Sequence, residues 1–350
     1  MKTLHRTLPA LAVILGILLA LSAAVAQSGP AKAPALPASL DKRFLDTTAD
    51  PCVDFARYSC GNFPKVYPLP ADQSGYGTGA VLFEHTEYAL HSLLERVEAD
   101  NSSRTPNEQK VGDFYATCMN TEAIQAAGLK PLQPELDRIA ALSDKSQLTA
   151  LLAHFQMINV NAFFSYGEQQ DFKDARKQIA NVDQGGLGLP ERDYYLRTGD
   201  AADKTRKQYV EHVAAMLKLL GEPEAAAASN AQKIMQLETA LAKVSMDITS
   251  QRDPHKVYHP MPVSQLSTLA PDIDWPAFFS ATGAPPIADL NVGNPDFFKG
   301  LHDLLQSTGL DTIKTYLRWQ LIDGTPAYAL PKAFDEEDFK FFGHELRGQP

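Results

Sequence analysis

The chain has 350 residues, 44% of them hydrophobic and 21% charged, with a formal net charge of −10. That apolar content can bury a substantial core in one large domain or two ordinary ones. The acidic balance disfavours a phosphate backbone as partner, so nucleic-acid binding is not expected.

From the amino terminus, Lys2, His5 and Arg6 precede an apolar stretch from Leu8 to Leu21, and Ala24-Val25-Ala26 offers the small residues a signal peptidase accepts. Residues 1–26 therefore read as an export signal. The stretch is shorter than the roughly 20 residues of a spanning helix. The expected product is a periplasmic or extracellular chain without stable membrane insertion, an uncleaved signal anchor being the alternative. No cysteine follows the apolar region, which argues against a lipoprotein anchor. Cleavage removes Lys2 and Arg6 and no acid, moving the charge from −10 to −12. Residues 27–39, rich in Pro, Ala and Ser, read as a flexible linker.

The remainder reads mainly as helix. Apolar residues at i, i+3, i+4 and i+7 recur at Leu90, Leu93, Leu94 and Val97, and at Leu148, Leu151, Leu152 and Phe155. The same pattern covers Val111, Phe114, Tyr115 and Cys118, which places Cys118 on a buried stripe. Further stripes are Tyr209, Val213, Met216 and Leu220; Ile234, Leu237, Leu241 and Val244; and Ile313, Tyr316, Leu317 and Gln320. Thr105-Pro106-Asn107-Glu108 has the form of a capping box. The exception is residues 161–183, where NAFFSYGEQQ and RKQIANVD predict a small hairpin turning through Asp171 to Ala175. The fold class is mainly α, a multi-helix lobe with a small β hairpin.

Motifs that carry chemistry are scarce. A common zinc peptidase helix needs His-Glu-x-x-His, which sets both imidazoles on one face while the Glu activates the metal-bound water. The nearest approach, His344-Glu345-Leu346-Arg347-Gly348, ends in Gly. His255 and His259 are four apart but flanked by Pro254 and Pro260, which oppose a continuous helix. His85 and His91 are six apart and face different ways; His154, His212 and His302 stand singly on helical segments. No Gly-x-Ser-x-Gly elbow is present. GYGTG at 75–79 and QGGLGLP at 184–190 match neither a phosphate loop nor a dinucleotide fingerprint, and read as turns or close backbone crossings. Asn101-Ser102-Ser103 is a glycosylation sequon. No catalytic, metal-ligating or substrate-binding residue is assigned.

Cys52 and Cys60 stand eight apart in PCVDFARYSCGNF, a spacing that fits neither a zinc pair nor a redox Cys-x-x-Cys. They can pair with each other, leaving Cys118 buried and inert, or each can seek a partner elsewhere.

Several blocks, in order, resemble the amino-terminal half of the neprilysin and endothelin-converting enzyme family of zinc metallopeptidases. These are TTADPCVDFARYSCGNF at 47–63, KVGDFYATCMNTEAI at 110–124, QGGLGLPERDYYL at 184–196, and LETALAKVSM with RDPHKVYHPM between 237 and 261. NVGNPDFF at 291–298, TYLRWQLI at 315–322 and FDEEDFKFFGHELRGQP complete the set. The resemblance implies an exported or membrane-anchored zinc endopeptidase of oligopeptides whose metal helix and substrate motif lie in a carboxy-terminal half. That catalytic zinc domain is absent from these residues, so the resemblance implies zinc in the complete enzyme, none bound here, and no peptidase activity from the chain alone. It further implies an amino-terminal domain over 40–350, with an opening segment 40–85 packed on the catalytic lobe and a helical lobe over 86–350. Aligning on Tyr76-Gly77 puts Gly75 where a carboxylate-holding Arg stands in neprilysin, which favours endopeptidase behaviour. By the same resemblance Cys52 and Cys60 bond to the catalytic half, and Cys118 to a cysteine just beyond Pro350. The chain is then expected to be a fragment, an early-terminated frame or one piece of a split protein. The alternative is a non-enzymatic exported helical module that binds peptides or a partner.

Overall fold

A computed structural model describes residues 35–99 and 102–350. The export signal 1–26, most of the linker 27–39 and Asn101 of the sequon lie outside the described residues. The chain divides into two compact units, one running through Thr117 and the other covering Cys118–Pro350.

In the first unit, helix α1 (Phe55–Cys60) is started by Asp54, whose carboxylate accepts from the Arg57 backbone N–H. Arg57 in turn pairs with Asp46 at 3.0 Å. Phe44 and Phe63 meet edge to face at 5.1 Å, and Phe63 stacks on Tyr67 at 5.4 Å, a small aromatic centre beside the two cysteines' helix. Helix α2 (Thr78–Ala99) and helix α3 (Pro106–Met119) follow. The capping box forms as its sequence predicts: Thr105 N–H donates to Glu108 Oε2 at 2.9 Å, and Glu108 N–H donates to Thr105 Oγ1 at 3.3 Å.

Two predicted stripes, on α2 and α3, are only partly buried. Gly112 is the buried residue of α3, because a Cβ there would sit 2.8 Å from the Val97 carbonyl oxygen and 2.7 Å from Arg104. The helices thus approach through Gly112, with Tyr115 half-buried, and this turns Val111 and Phe114 to solvent. Cys118 is half-buried rather than on an interior stripe. On α2, Val81 and Val97 are buried while Leu90 and Leu93 are exposed and Leu94 is half-buried.

The second unit opens with α4 (Thr121–Ala127), α5 (Gln133–Ala140) and α6 (Leu148–Met157). The predicted hairpin is present as β1 (Phe164–Gln170) and β2 (Gln178–Gln184), antiparallel, with Phe164 opposite Gln184 and Gln170 opposite Gln178. It belongs to a larger sheet than the sequence predicts. After α7 (Asp200–Leu219) and α8 (Glu224–Val244) come β3 (Pro260–Pro262), α9 (Val263–Leu269), α10 (Trp275–Ala281) and β4 (Asp289–Val292). The strand order is β1-β2-β4-β3; β2 and β4 run parallel, β3 and β4 antiparallel. Strands of three and four residues, one bounded by prolines, carry too little alternation to announce themselves. Helices α11 (Pro295–Ser307), α12 (Leu310–Asp323) and α13 (Lys332–Asp338) lead into a π-helical segment, Phe339–Leu346.

The stripes of this unit are interior. Leu148, Leu151, Leu152 and Phe155 are buried, as are Tyr209, Val213 and Met216, Ile234, Leu237 and Leu241, and Ile313, Tyr316, Leu317 and Gln320; Leu220 and Val244 are half-buried. One core gathers on the sheet, where Phe164 contacts Trp275 at 5.0 Å and Phe278 at 5.3 Å. A second centres on Tyr209, Ile234 and Trp319. Each such fully buried side chain contributes about 1.5–3 kcal/mol of transfer free energy. No described helix is long and apolar enough to cross a membrane.

Candidate functional site

Among the described residues, no three His, Cys, Asp or Glu side chains converge as a metal site. The histidines have separate engagements. His154 Nε2 lies 2.7 Å from Glu135, His302 Nδ1 lies 2.6 Å from Asp272, and His212 Nδ1 lies 3.3 Å from Glu337. His259, outside the one-turn helix Pro254–Val257 that holds His255, faces the Val292 carbonyl at 3.0 Å. His344 lies in the π-helical segment, 2.7 Å from the Gln349 carbonyl. Each of these His–acid pairs brings only two ligand residues together, fewer than the three or four of a zinc site, so the described residues do not fit a resident zinc ion.

The motif blocks of the second unit have structural roles. Asn294 of NVGNPDFF caps α11 by accepting from the Phe297 N–H at 3.2 Å, and its Nδ2 donates to Gln184 Oε1 at 2.9 Å. Buried Asn291 donates to Asn181 Oδ1 and to the Val257 carbonyl, and accepts from the His259 N–H at 2.7 Å. Gly293 leaves room for the Asp183 carboxyl, 2.5 Å from where a Cβ would stand. Burial raises that carboxyl above the usual carboxylate range.

QGGLGLP runs against the polar centre of the same unit. Tyr316 Oη donates to the Gly186 carbonyl at 2.8 Å and accepts from the Phe163 N–H at 3.0 Å. Phe163 has φ 65°, an unusual backbone for an aromatic residue, fixed by that bond just before β1. A Cβ on Gly188 would strike Tyr209 Oη, so the glycine is a close crossing, as the sequence suggests. Leu189 N–H donates to Tyr195 Oη at 2.8 Å. Beneath lies Glu238, wholly buried, accepting from Tyr195 Oη at 2.8 Å, Tyr209 Oη at 2.7 Å and Trp319 Nε1 at 3.0 Å. Burial pushes its carboxyl up to about 8, against the opposing pull of these donors. Sequence reasoning passes over Glu238, although a signal exists: with Ile234, Leu237 and Leu241 it completes the i, i+3, i+4, i+7 stripe, so an acid stands among core positions.

What the first unit presents is surface. Val53, Phe55, Leu69, Leu82, Phe83, Leu90, Leu93, Val111 and Phe114 are all exposed, Phe83 to 63% and Phe114 to 71%. Scattered apolar residues are ordinary on a protein surface, but pairs one turn apart on α2 and α3 are a mark of an interaction face. Cys52 and Cys60 are exposed free thiols in the same unit, and Cys118, the first residue of the second unit, is a half-buried one. Cys52 sits in a turn whose N–H donates to Asp50 at 2.8 Å, and Cys60 ends α1. Gly61 follows because a side chain there would meet the Arg57 carbonyl and stand 2.9 Å from Asp46 Cβ.

The profile of peptidase family M13, in its amino-terminal part, matches residues 51–350. Endothelin-converting enzyme 1 of Rattus norvegicus is 32% identical over 313 residues, covering 85% of this chain and 40% of the relative. Neprilysin-3 of Drosophila melanogaster is 29% identical, covering 79% and 38%. Among solved structures, Mycobacterium tuberculosis zinc metalloprotease Zmp1 in complex with inhibitor superposes with a TM-score of 0.81 at 29% identity, over 90% of this chain and 48% of that one. The same enzyme in its open state gives a TM-score of 0.74. The chain thus spans less than half the length of the relatives it matches. Its ordered motif blocks, its mainly helical fold and its profile agree, and the chain belongs to peptidase family M13.

Proposed function

We propose that the chain is the amino-terminal domain of an exported zinc metalloendopeptidase that cleaves oligopeptides, and that it contributes the substrate-confining lobe rather than the reacting groups. The observation that carries this reading is the match over residues 51–350 together with the span of only 40% of endothelin-converting enzyme 1. The apolar face of the first unit supports it. Val53, Phe55, Leu69, Leu82 and Phe83 belong to the opening segment 40–85 that would pack on a catalytic lobe. Cys52 and Cys60 would staple that segment to the lobe, and their exposure leaves both within reach of external partners. Zinc would be held by the catalytic lobe, since among the described residues no three donors assemble a site.

The test is complementation. The catalytic region of a family M13 relative, produced separately and mixed under oxidising conditions, is expected to form a stable complex with this chain and to gain chelator-sensitive cleavage of apolar oligopeptides. A mixture that neither associates nor gains activity would contradict the reading. Stoichiometric peptide binding by the chain alone, unaffected by the catalytic region, would instead establish a free-standing binding module.

A further inference from the structure

Glu238 is a carboxyl without a counter-ion in the interior of the second unit, and its surroundings are fixed from every side. The one-turn helix Asp193–Leu196 contributes Tyr195, α7 contributes Tyr209, and α12 contributes Trp319. The α11 face is apolar, with Phe297, Phe298 and Leu301 buried. The charged groups nearby are either engaged or of the wrong sign. Arg206 donates to the carbonyls of Tyr194 at 3.1 Å and Arg197 at 2.8 Å and pairs with Asp203. His212, one turn along α7, stacks on Phe341 and directs Nδ1 to Glu337. Asp323, one turn beyond Trp319, is of the wrong sign, and burial pushes its own carboxyl up to about 7.

The bonding fixes what a proton does here. With Glu238 ionised, the hydroxyls of Tyr195 and Tyr209 and the indole N–H all have an acceptor, but a charge without a counter-ion sits in the core. With Glu238 protonated, its hydroxyl competes for the same oxygens and one tyrosine hydroxyl falls a bond short. A neutral hydroxyl lacking a partner is the smaller penalty of the two.

We propose that Glu238 is a proton-operated latch of the second unit: neutral, it lets α7, α8, α12 and the QGGLGLP crossing close together, and ionised, it loosens them. The segment tied to the latch is 186–195, through Leu189 N–H on Tyr195 Oη and Gly188 against Tyr209. Burial that carries the carboxyl up to about 8 agrees with this assignment. A carboxyl that holds its proton to higher pH when folded than when unfolded stabilises the fold fully below about 4.5. That contribution fades as pH rises to about 8.

The test is the melting temperature of the full chain from pH 5 to pH 9, for wild type and Glu238→Gln. Wild type is expected to lose on the order of 5 °C or more across this interval, and Glu238→Gln to show a clearly flatter profile whatever its absolute stability. Parallel profiles would overturn the latch. The second readout is infrared difference spectra between pH 5 and pH 9 of wild type and of Glu238→Gln, the variant separating Glu238 from Asp323, whose carboxyl burial also raises, to about 7. A protonated carboxylic-acid band present at pH 7 and lost by pH 9 in wild type, and missing from Glu238→Gln, supports the proposal; wild-type and variant spectra without that difference overturn it.

Discussion

Gly186 shows how a single residue ties the motif blocks to the fold. Its φ is +78°, and a Cβ there would lie 2.7 Å from the Phe163 backbone nitrogen, so both conformation and space forbid a side chain. Gly186→Ala is expected to cost about 3 kcal/mol or more, read as a lowered urea midpoint with unchanged m. Asn294→Ala removes the α11 cap and the bridge to Gln184 together, and a loss of about 1–2 kcal/mol is expected in the same measurement. These roles were partly legible. The glycine run announced a crossing, and NPDFF has the form of a capped helix start, but the partners lie on other elements, Tyr316 130 residues from Gly186 and Gln184 110 from Asn294, and no local pattern names them. Glu238 was readable as an acid on an apolar stripe; its three donors were not, because they come from three other elements.

At the scale of elements, hydrophobic spacing located the helices well and their inner faces less evenly. The stripes of α6, α7, α8 and α12 are interior because each has neighbours on that side within its own unit. The stripe of α3 fails for an identifiable reason: Gly112 permits the closest approach to Val97, and the contact face rotates away from Val111 and Phe114. Periodicity reports which face is apolar, and it is silent on what covers it. Replacing Val111 and Phe114 by Ser is therefore expected to leave the melting temperature within about 2 °C of wild type while reducing binding of a hydrophobic dye. A large loss of stability would show that this face is interior to the fold. The β1–β2 hairpin was legible from its two short alternating runs; β3 and β4 were not, at three and four residues.

For the whole molecule, the comparisons and the donor geometry point the same way. The chain matches the amino-terminal part of a zinc peptidase family over 300 consecutive positions, residues 51–350, while His154, His212 and His302 are each paired with a single acid and His259 and His344 each face a backbone carbonyl. Peptide-bond hydrolysis by a metal-bound water needs three protein ligands and an open position, which these pairs do not supply. The most direct measurement is zinc content by mass spectrometry on the purified chain, with chelator-sensitive cleavage of apolar oligopeptides followed on the same preparation. Substoichiometric zinc and no turnover are expected. One zinc per chain with turnover abolished by chelator would contradict that expectation.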